Sequence, residues 1–304
     1  MKINRIELIN QLEAVLPGLS EKGEIEQSSC VVFKDKRIYT YNDEITCSIA
    51  TELDINGAVQ ASPLITLLKK LKEDELNLSI DKGQLLIKGK NRKAGIIMDN
   101  EIVLPIGIID EPKKWKKLPE EFSIGVNMTR QCVSKDESRF ALTCIHITPD
   151  YIEATDSYQA CVYKLAMKIK KPIFIRGDSV RYLKQMNPIR FGETKSWIQF
   201  KNKNGLTLCC RRYDEEFPDL DSIMNFKGTP TTLPKDIEET IKRAEIFSSQ
   251  STSNNNVSIS LTKNSLLITG EGVHGWIKEK KKIKYQGKDL TFSISPDLFL
   301  NIAK

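Results

Sequence analysis

The sequence predicts an α+β protein in which one domain-sized plan occurs three times, each copy made of two halves where a helix leads a set of antiparallel strands. Two independent marker sets carry this. One is a strand–turn–strand pattern in IYTYNDEITCSIATEL from Ile38, YIEATDSYQACVYKLAM from Tyr151 and LLITGEGVHGWIKEK from Leu266. Their turns open at Asn42, Thr155 and Gly270, roughly 114 residues apart. The other is a helical pattern in ASPLITLLKKLKEDE, RGDSVRYLKQMNP and ISPDLFLNIAK, each opening with Ser or Asp as the expected N-cap before an apolar stripe. The two sets agree in phase and place the copies at 1–118, 119–228 and 229–304.

Each copy opens with a helix. Leu8, Leu12, Val15 and Leu16 recur at helical spacing until Pro17-Gly18 stops the run. Ile237, Ile241 and Ala244 repeat this after Pro234, and the middle helix is expected within VNMTRQCVSKDESRFAL. Strands are predicted next, in SSCVVFKDKRIYTY, FALTCIHITPDYIEAT and NVSISLTKNSLLITG, where polar and apolar residues alternate around turn signals. The second helices lead into hairpins, LNLSIDKGQLLIKG in the first copy and SWIQFKNKNGLTLCC in the second.

Composition narrows the function classes. With 304 residues, 40% hydrophobic and 28% charged, the chain reads as a soluble multidomain protein. The most apolar stretch, IIMDNEIVLPIGIID, is broken by charges and Pro105, and the first residues lack a signal-peptide core, so the expected location is the cytoplasm. Seven cysteines with no CxxC spacing indicate neither a disulfide framework nor a zinc knuckle. Only His146 and His274 are available for histidine chemistry. A net charge of +6 permits a polyanionic partner. The densest basic run, IKEKKKIK from Ile277, reads as a solvated strand face.

Basic residues recur on equivalent helices: Lys69, Lys70 and Lys72 on the second helix of the first copy, Arg181 and Lys184 on that of the middle copy, and Lys242 and Arg243 on the first helix of the third. Lys135 and Arg139 close the middle helix. Any one of these is an ordinary surface charge, but their recurrence points to a shared electropositive surface. With aromatic content of 7%, that surface suits phosphate attraction better than base stacking.

Several stretches look catalytic. GEGVHG, Gly270–Gly275, matches a dinucleotide-binding glycine pattern, but that site needs a helix to follow, and here a strand-like alternation follows; a hairpin is expected. His146 lies near Cys144 and Asp150 without further ligands at metal-site spacing, so it is read as a strand residue. Trp115, Trp197 and Trp276 are read as packing residues. In YDEEFPDLDSIM, Asp214, Glu215, Glu216, Asp219 and Asp221 crowd one loop. Two-metal phosphodiester chemistry needs carboxylates converging from separate strands, whereas these follow one another along a Pro-containing loop. A metal-dependent phosphodiesterase built on Asp214, Glu216, Asp219 and Asp221 stays as the alternative function.

The segments SRFALTCIHI, EATDSYQACVYKL and YDEEFPDLDSIM, followed by IKRAEIFSS and NSLLITGEG, resemble the bacterial DNA polymerase III beta subunit, the sliding clamp. MKINRIELINQLEAV and ASPLITLLKKLKEDELNLSIDKGQLLIKG resemble its first domain, so the likeness runs from Met1 to Lys304. The resemblance implies a non-enzymatic processivity factor without cofactor or metal. It implies a head-to-tail homodimer whose six domains encircle duplex DNA without regard to sequence, helices lining the hole and sheets outside. The implied partners are the replicative DNA polymerase, the clamp loader and other proteins carrying clamp-binding linear motifs; no membrane is involved, and the place of action is the nucleoid. It also implies a peptide pocket between the second and third domains. Carried over by position, its lining is Leu142, Thr155, Ser157, Tyr158, Gln159 and Ala160, with Pro218, Ser222 and Ile223 from the acidic loop. The DNA contacts it implies are Lys22, Lys135 and Arg139, beside the basic helix residues.

Two departures from the family pattern bear on function. Gln159 and Ala160 stand where the family usually has a basic and then a large apolar residue, and Ser222 stands at a position that is often basic, which implies an altered peptide preference. The chain also ends within the second helix of the third copy, where the repeat predicts on the order of 50 further residues. A trimmed form and a natural variant with altered ring closure both fit, and a monomeric clamp-like module that only docks peptides is a third reading.

Overall fold

The structure is a computed structural model that describes residues 1–20, 25–224, 228–248 and 255–303. They form two compact units, Met1–Phe217 and Pro218–Lys304.

In the first unit, β1 (Lys2–Asn4) runs directly into α1 (Arg5–Ala14). Asn4 caps the helix, its Oδ1 accepting from the Glu7 N–H at 3.0 Å. Leu8, Leu12 and Val15 are buried as their spacing predicts. Leu16 is not: the chain tightens into a 3-10 turn over Leu16–Gly18 and carries that side chain out of the stripe, leaving it 40% exposed. There follow β2 (Cys30–Lys34), β3 (Arg37–Tyr41), β4 (Ile45–Ala50) and β5 (Gly57–Gln60), then α2 (Ala61–Lys70), then β6 (Glu75–Asp81), β7 (Gln84–Lys88) and β8 (Lys93–Asp99). Tight turns close the hairpins: Asp35 and Lys36 at φ 49° and 55°, Lys82 and Gly83 at φ 47° and 72°, the left-handed pairs that match strand twist.

The same plan follows again. β9 (Lys116–Lys117) precedes α3 (Phe122–Thr129), then β10 (Cys144–Ile147), β11 (Tyr151–Thr155), β12 (Ala160–Lys164) and β13 (Ile173–Arg176). Two short helices, α4 (Gly177–Val180) and α5 (Leu183–Met186), stand where one was expected, and β14 (Arg190–Glu193), β15 (Trp197–Lys201) and β16 (Thr207–Arg211) complete the copy. Asn187, at φ 50°, ends α5 in the left-handed conformation, since Pro188 disfavours a helical residue before it.

Three sequence expectations need correction here. The Ser and Asp caps of the first two copies do not form. Gln60 and Arg176, the last residues of β5 and β13, hold the cap positions of α2 and α4 without side-chain bonds, and the Ala61 N–H bonds the Ser29 carbonyl at 3.2 Å. The middle helix begins earlier than predicted and stops at Thr129, whose hydroxyl donates back to the Gly125 carbonyl at 2.8 Å. A 3-10 turn over Arg130–Cys132 and a second 3-10 stretch over Glu137–Thr143 take up the rest. Lys135 and Arg139 are therefore not on that helix, and Phe140–Thr143 is not strand.

Sheet order makes the repetition explicit. The orders β4-β3-β2-β5 and β12-β11-β10-β13 are the same, and β4 joins the first copy to the second by pairing with β16. Ser48 opposes Thr207, Cys47 opposes Leu208 and Thr46 opposes Cys209, giving one twelve-stranded sheet. One hydrophobic core runs through both copies, including Leu12, Leu64, Phe122, Ile175 and Phe200.

The second unit holds α6 (Asp221–Met224), α7 (Ile237–Ser248), β17 (Val257–Thr262), β18 (Ser265–Gly272), β19 (Gly275–Lys282), β20 (Leu290–Ile294) and α8 (Pro296–Ala303). Its strand order, β19-β18-β17-β20, is that of the first two copies again. Ile237, Ile241 and Ala244 of α7 pack onto Ile259 and Ile268.

GEGVHG is the β18–β19 hairpin turn, as expected, with Gly272 opposite Gly275. Its first glycine serves packing: a Cβ on Gly270 would lie 2.0 Å from the Ala244 carbonyl oxygen, so only glycine lets α7 lie flat on β18. The basic run is a strand face whose Lys278, Lys280 and Lys282 point to solvent. Trp197 is buried and Trp115 half-buried, whereas Trp276 is 64% exposed on that same face with the Lys278 ammonium 5.4 Å from its ring centre; it is not a packing residue. No described helix is long and apolar enough to cross a membrane.

Candidate peptide-docking site and basic helices

In the first unit, the residues expected to bind peptide fall just before β10 and on the β11–β12 hairpin. Asp156 shapes its turn, Oδ1 accepting from the Tyr158 and Gln159 N–H groups at 2.9 Å each. The Thr155 hydroxyl donates to the Gln159 carbonyl at 2.8 Å and accepts from the Ser157 N–H at 3.1 Å. Ser157 sits at φ 78°, a conformation a serine adopts only when its surroundings fix it. The Gln159 side-chain amide donates to Asp156 Oδ2 and to the Gln131 carbonyl, tying the turn to the segment after α3. The result is a braced turn that projects Tyr158, 91% exposed, with Gln159 and Ala160 half-buried beside it. Leu142 is 2% exposed, so it backs the site more than it lines it.

Arg139, expected to contact DNA, instead donates through Nη1 to Ser157 Oγ at 2.6 Å, which brings it to this turn. The Cys132 and Cys161 thiols interact with one another, which lowers the Cys161 thiol below its ordinary value and raises Cys132. Sequence reasoning missed this pair because its two cysteines lie on different elements with no motif spacing.

In the second unit, Asp219 Oδ1 accepts from the Asp221 N–H at 2.9 Å and starts the single turn of α6. Leu220 is buried and anchors it, so Ile223 is presented outward at 63% exposed, with Ser222 and Pro218 also exposed.

The carboxylates of the acidic loop are mostly solvent-facing, with Asp214, Glu216, Asp219 and Asp221 exposed. Among the described residues no three His, Cys, Asp or Glu side chains gather closely enough to hold a metal ion, so the geometry gives the phosphodiesterase reading no support. His146 is a strand residue, as expected. Its Nδ1 lies 2.7 Å from Glu153 Oε1, and its ring stacks 4.5 Å from Phe174 and lies 4.9 Å from Phe217.

The predicted basic residues divide. Lys69, on α2, pairs with Glu13 at 2.6 Å across to α1, and Lys72 lies beyond the end of α2, which stops at Lys70. Arg181 and Lys184 are exposed at α4 and α5, and Lys135 is exposed in the loop after α3. On α7, Lys242 is exposed, but Arg243 is turned against the sheet: its Nε and Nη2 meet the two Glu279 oxygens at 2.6 and 3.0 Å. Arg243 is thus ion-paired against the sheet. Lys22 lies outside the described residues.

No protein-family model matches the chain, and no curated protein matches it. Solved structures do. The Pseudomonas aeruginosa sliding clamp, DNA polymerase III subunit beta, bound to griselimycin, matches with a TM-score of 0.85 at 14% identity, over 100% of this chain and 89% of that one. The Bacillus subtilis DNA polymerase sliding clamp matches with a TM-score of 0.86 at 19% identity, over 99% and 88%. The DNA polymerase III beta chain of Streptococcus pneumoniae gives the same values. What is common at such identities is the fold: this chain has the fold of the bacterial sliding clamps, as the sequence predicts.

Proposed function

We propose that the chain is a DNA sliding clamp, a non-catalytic processivity factor that encircles duplex DNA and tethers replicative polymerase. The observation that carries this reading is the seam between β4 and β16. It joins one copy of the plan to the next by antiparallel pairing of the fourth strand of one with the last strand of the other. In β19, the counterpart of β4, one edge has no strand partner among the described residues. β8, the counterpart of β16, pairs β5 only at Met98 and Asp99, leaving most of that edge free and Ile97 75% exposed. Long unpaired edges are templates for a further strand. Head-to-tail pairing of β19 with β8 of a second copy repeats the seam and closes a ring.

Inside such a ring, Lys72, Arg181, Lys184 and Lys242 supply sequence-independent attraction to phosphates. The braced Tyr158 turn of the first unit docks short linear motifs of polymerases, the clamp loader and other partners. The work is done in the cytoplasm, at the nucleoid. Sedimentation and small-angle scattering test the assembly. A dimer with a DNA-wide central hole is expected, and a monomer at working concentration would leave only the peptide-docking module.

A further inference from the structure

The first unit contains a groove that the clamp reading leaves without a task. It lies on the face of the twelve-stranded sheet where β3, β4, β16 and β15 run side by side, with the connector from Ile106 to Trp115 as its wall, and it encloses about 210 Å³. Tyr39, Ser48, Thr207 and Lys201 stand opposite one another in a single cross-strand row along its floor. With strands ~4.8 Å apart, that row spans about 14 Å, the reach of about four extended residues.

Two cations line the groove, Arg37 at one end of the row and Lys201 at the other. The Arg37 Nη2 donates to Ser48 Oγ at 2.9 Å and its guanidinium lies 5.9 Å from the centre of the Tyr39 ring. The Lys201 ammonium lies 5.5 Å from the centre of the Trp115 ring. Neither forms an ion pair among the described residues, and Glu111 at the rim is the one carboxylate lining the groove, which leaves an excess of positive charge. A further group is unfulfilled: Thr46 is 4% exposed, lines the groove, and its hydroxyl is buried without a hydrogen-bond partner. Buried hydroxyls ordinarily have partners, so a missing one marks a place where an acceptor from outside fits. Arginine, ammonium and hydroxyl together form a donor set for a carboxylate, and the Trp115 ring with Ile106 and Ile109 offers an apolar flank.

We propose that this groove docks an extended acidic segment of a partner protein, one whose Asp or Glu side chain accepts from Arg37, Lys201 and Thr46 while a neighbouring apolar residue lies against the connector. The site is distinct from the Tyr158 turn and all its residues lie within the first unit.

The probe is acetyl-Ile-Glu-Ile-amide, followed through the indole N–H resonance of Trp115 in the full chain, assigned with Trp115→Phe. The expected result is a saturable shift at peptide concentrations up to about 10 mM, with the Gln analogue about fivefold weaker or worse. Arg37→Ser with Lys201→Ser abolishes the shift. Glu111→Gln, which leaves the donors intact, tightens binding about twofold or more by removing the opposing charge. Tyr158→Ala, which removes the exposed tip of the proposed polymerase-motif site, leaves binding unchanged, so the two readings fail separately. No shift with the Glu peptide, equal binding of the Gln peptide, or binding unaltered by Glu111→Gln overturns the proposal.

Discussion

Cys47 on β4 and Leu208 on β16 pair across the line between the first and second copies, and both are fully buried. A pairing of this kind is interior structure, not contact between finished domains. It makes the joint a continuous sheet over a continuous core, and burial alone pushes the Cys47 thiol up to about 12.

Leu208→Ala therefore weakens the whole first unit. Removing a fully buried leucine side chain costs about 2–4 kcal/mol. Denaturant unfolding followed by probes in each copy should show both copies shifting together in one transition. Separate transitions, with only the second copy affected, would contradict the continuous core.

Gly270→Ala acts on the second unit alone. The added methyl meets the Ala244 carbonyl oxygen, so α7 must lift from β18. The expected loss is about 1–3 kcal/mol, typical of overpacking, measured as a lowered melting temperature. A neutral effect would mean that α7 does not lie on the sheet as described.

Among the cysteines, Cys161 should react first. Its interaction with Cys132 lowers it, while burial pushes Cys144 up to about 12 and Cys209 and Cys210 higher still. Alkylation at pH 8 followed by peptide mapping is expected to mark Cys161 ahead of these, with a rate midpoint below that of an ordinary thiol. Cys132→Ala should move that midpoint upward, because that interaction is lost.

Acid should loosen the second unit through a specific pair of carboxylates. Glu279 is held below the ordinary carboxylate range by the hydrogen bond from Arg243, and Asp236 by the one from Lys281. Depressed folded-state values mean that their stabilisation is complete above the usual carboxylate range and fades as pH falls through the depressed values. Stability against pH for the native chain and for Glu279→Gln should differ most near neutrality and converge in acid. Parallel curves would show that the pair contributes nothing.

Lys242 and Arg243 are neighbours with opposite fates. Lys242→Glu should weaken DNA retention and lower the salt slope by about 1, the effect of one lost phosphate contact. Arg243→Gln should leave the slope unchanged, because that guanidinium already faces Glu279.

The repetition was readable because turn chemistry and apolar spacing are local signals: Asn42, Thr155 and Gly270 mark the same hairpin three times over. The stripe through Ile237, Ile241 and Ala244 needed nothing beyond its own period. Features set by remote contacts were not readable. The Arg243–Glu279 and Arg139–Ser157 pairings join residues far apart in sequence, and no local signal marks them. α3 stopped early through a back-bond from Thr129 that composition does not signal. In the candidate site, the turn from Thr155 to Ala160 was recognisable by family pattern, whereas its bracing by Asp156 and Gln131 became visible only in three dimensions.

The central claim is topological, and retention on DNA of different topology tests it most directly. Loaded onto nicked circular duplex and then challenged with salt, the protein should stay bound, and linearising the DNA should release it by sliding from the ends. Equal retention on circular and linear DNA would contradict encirclement and with it the sliding-clamp assignment.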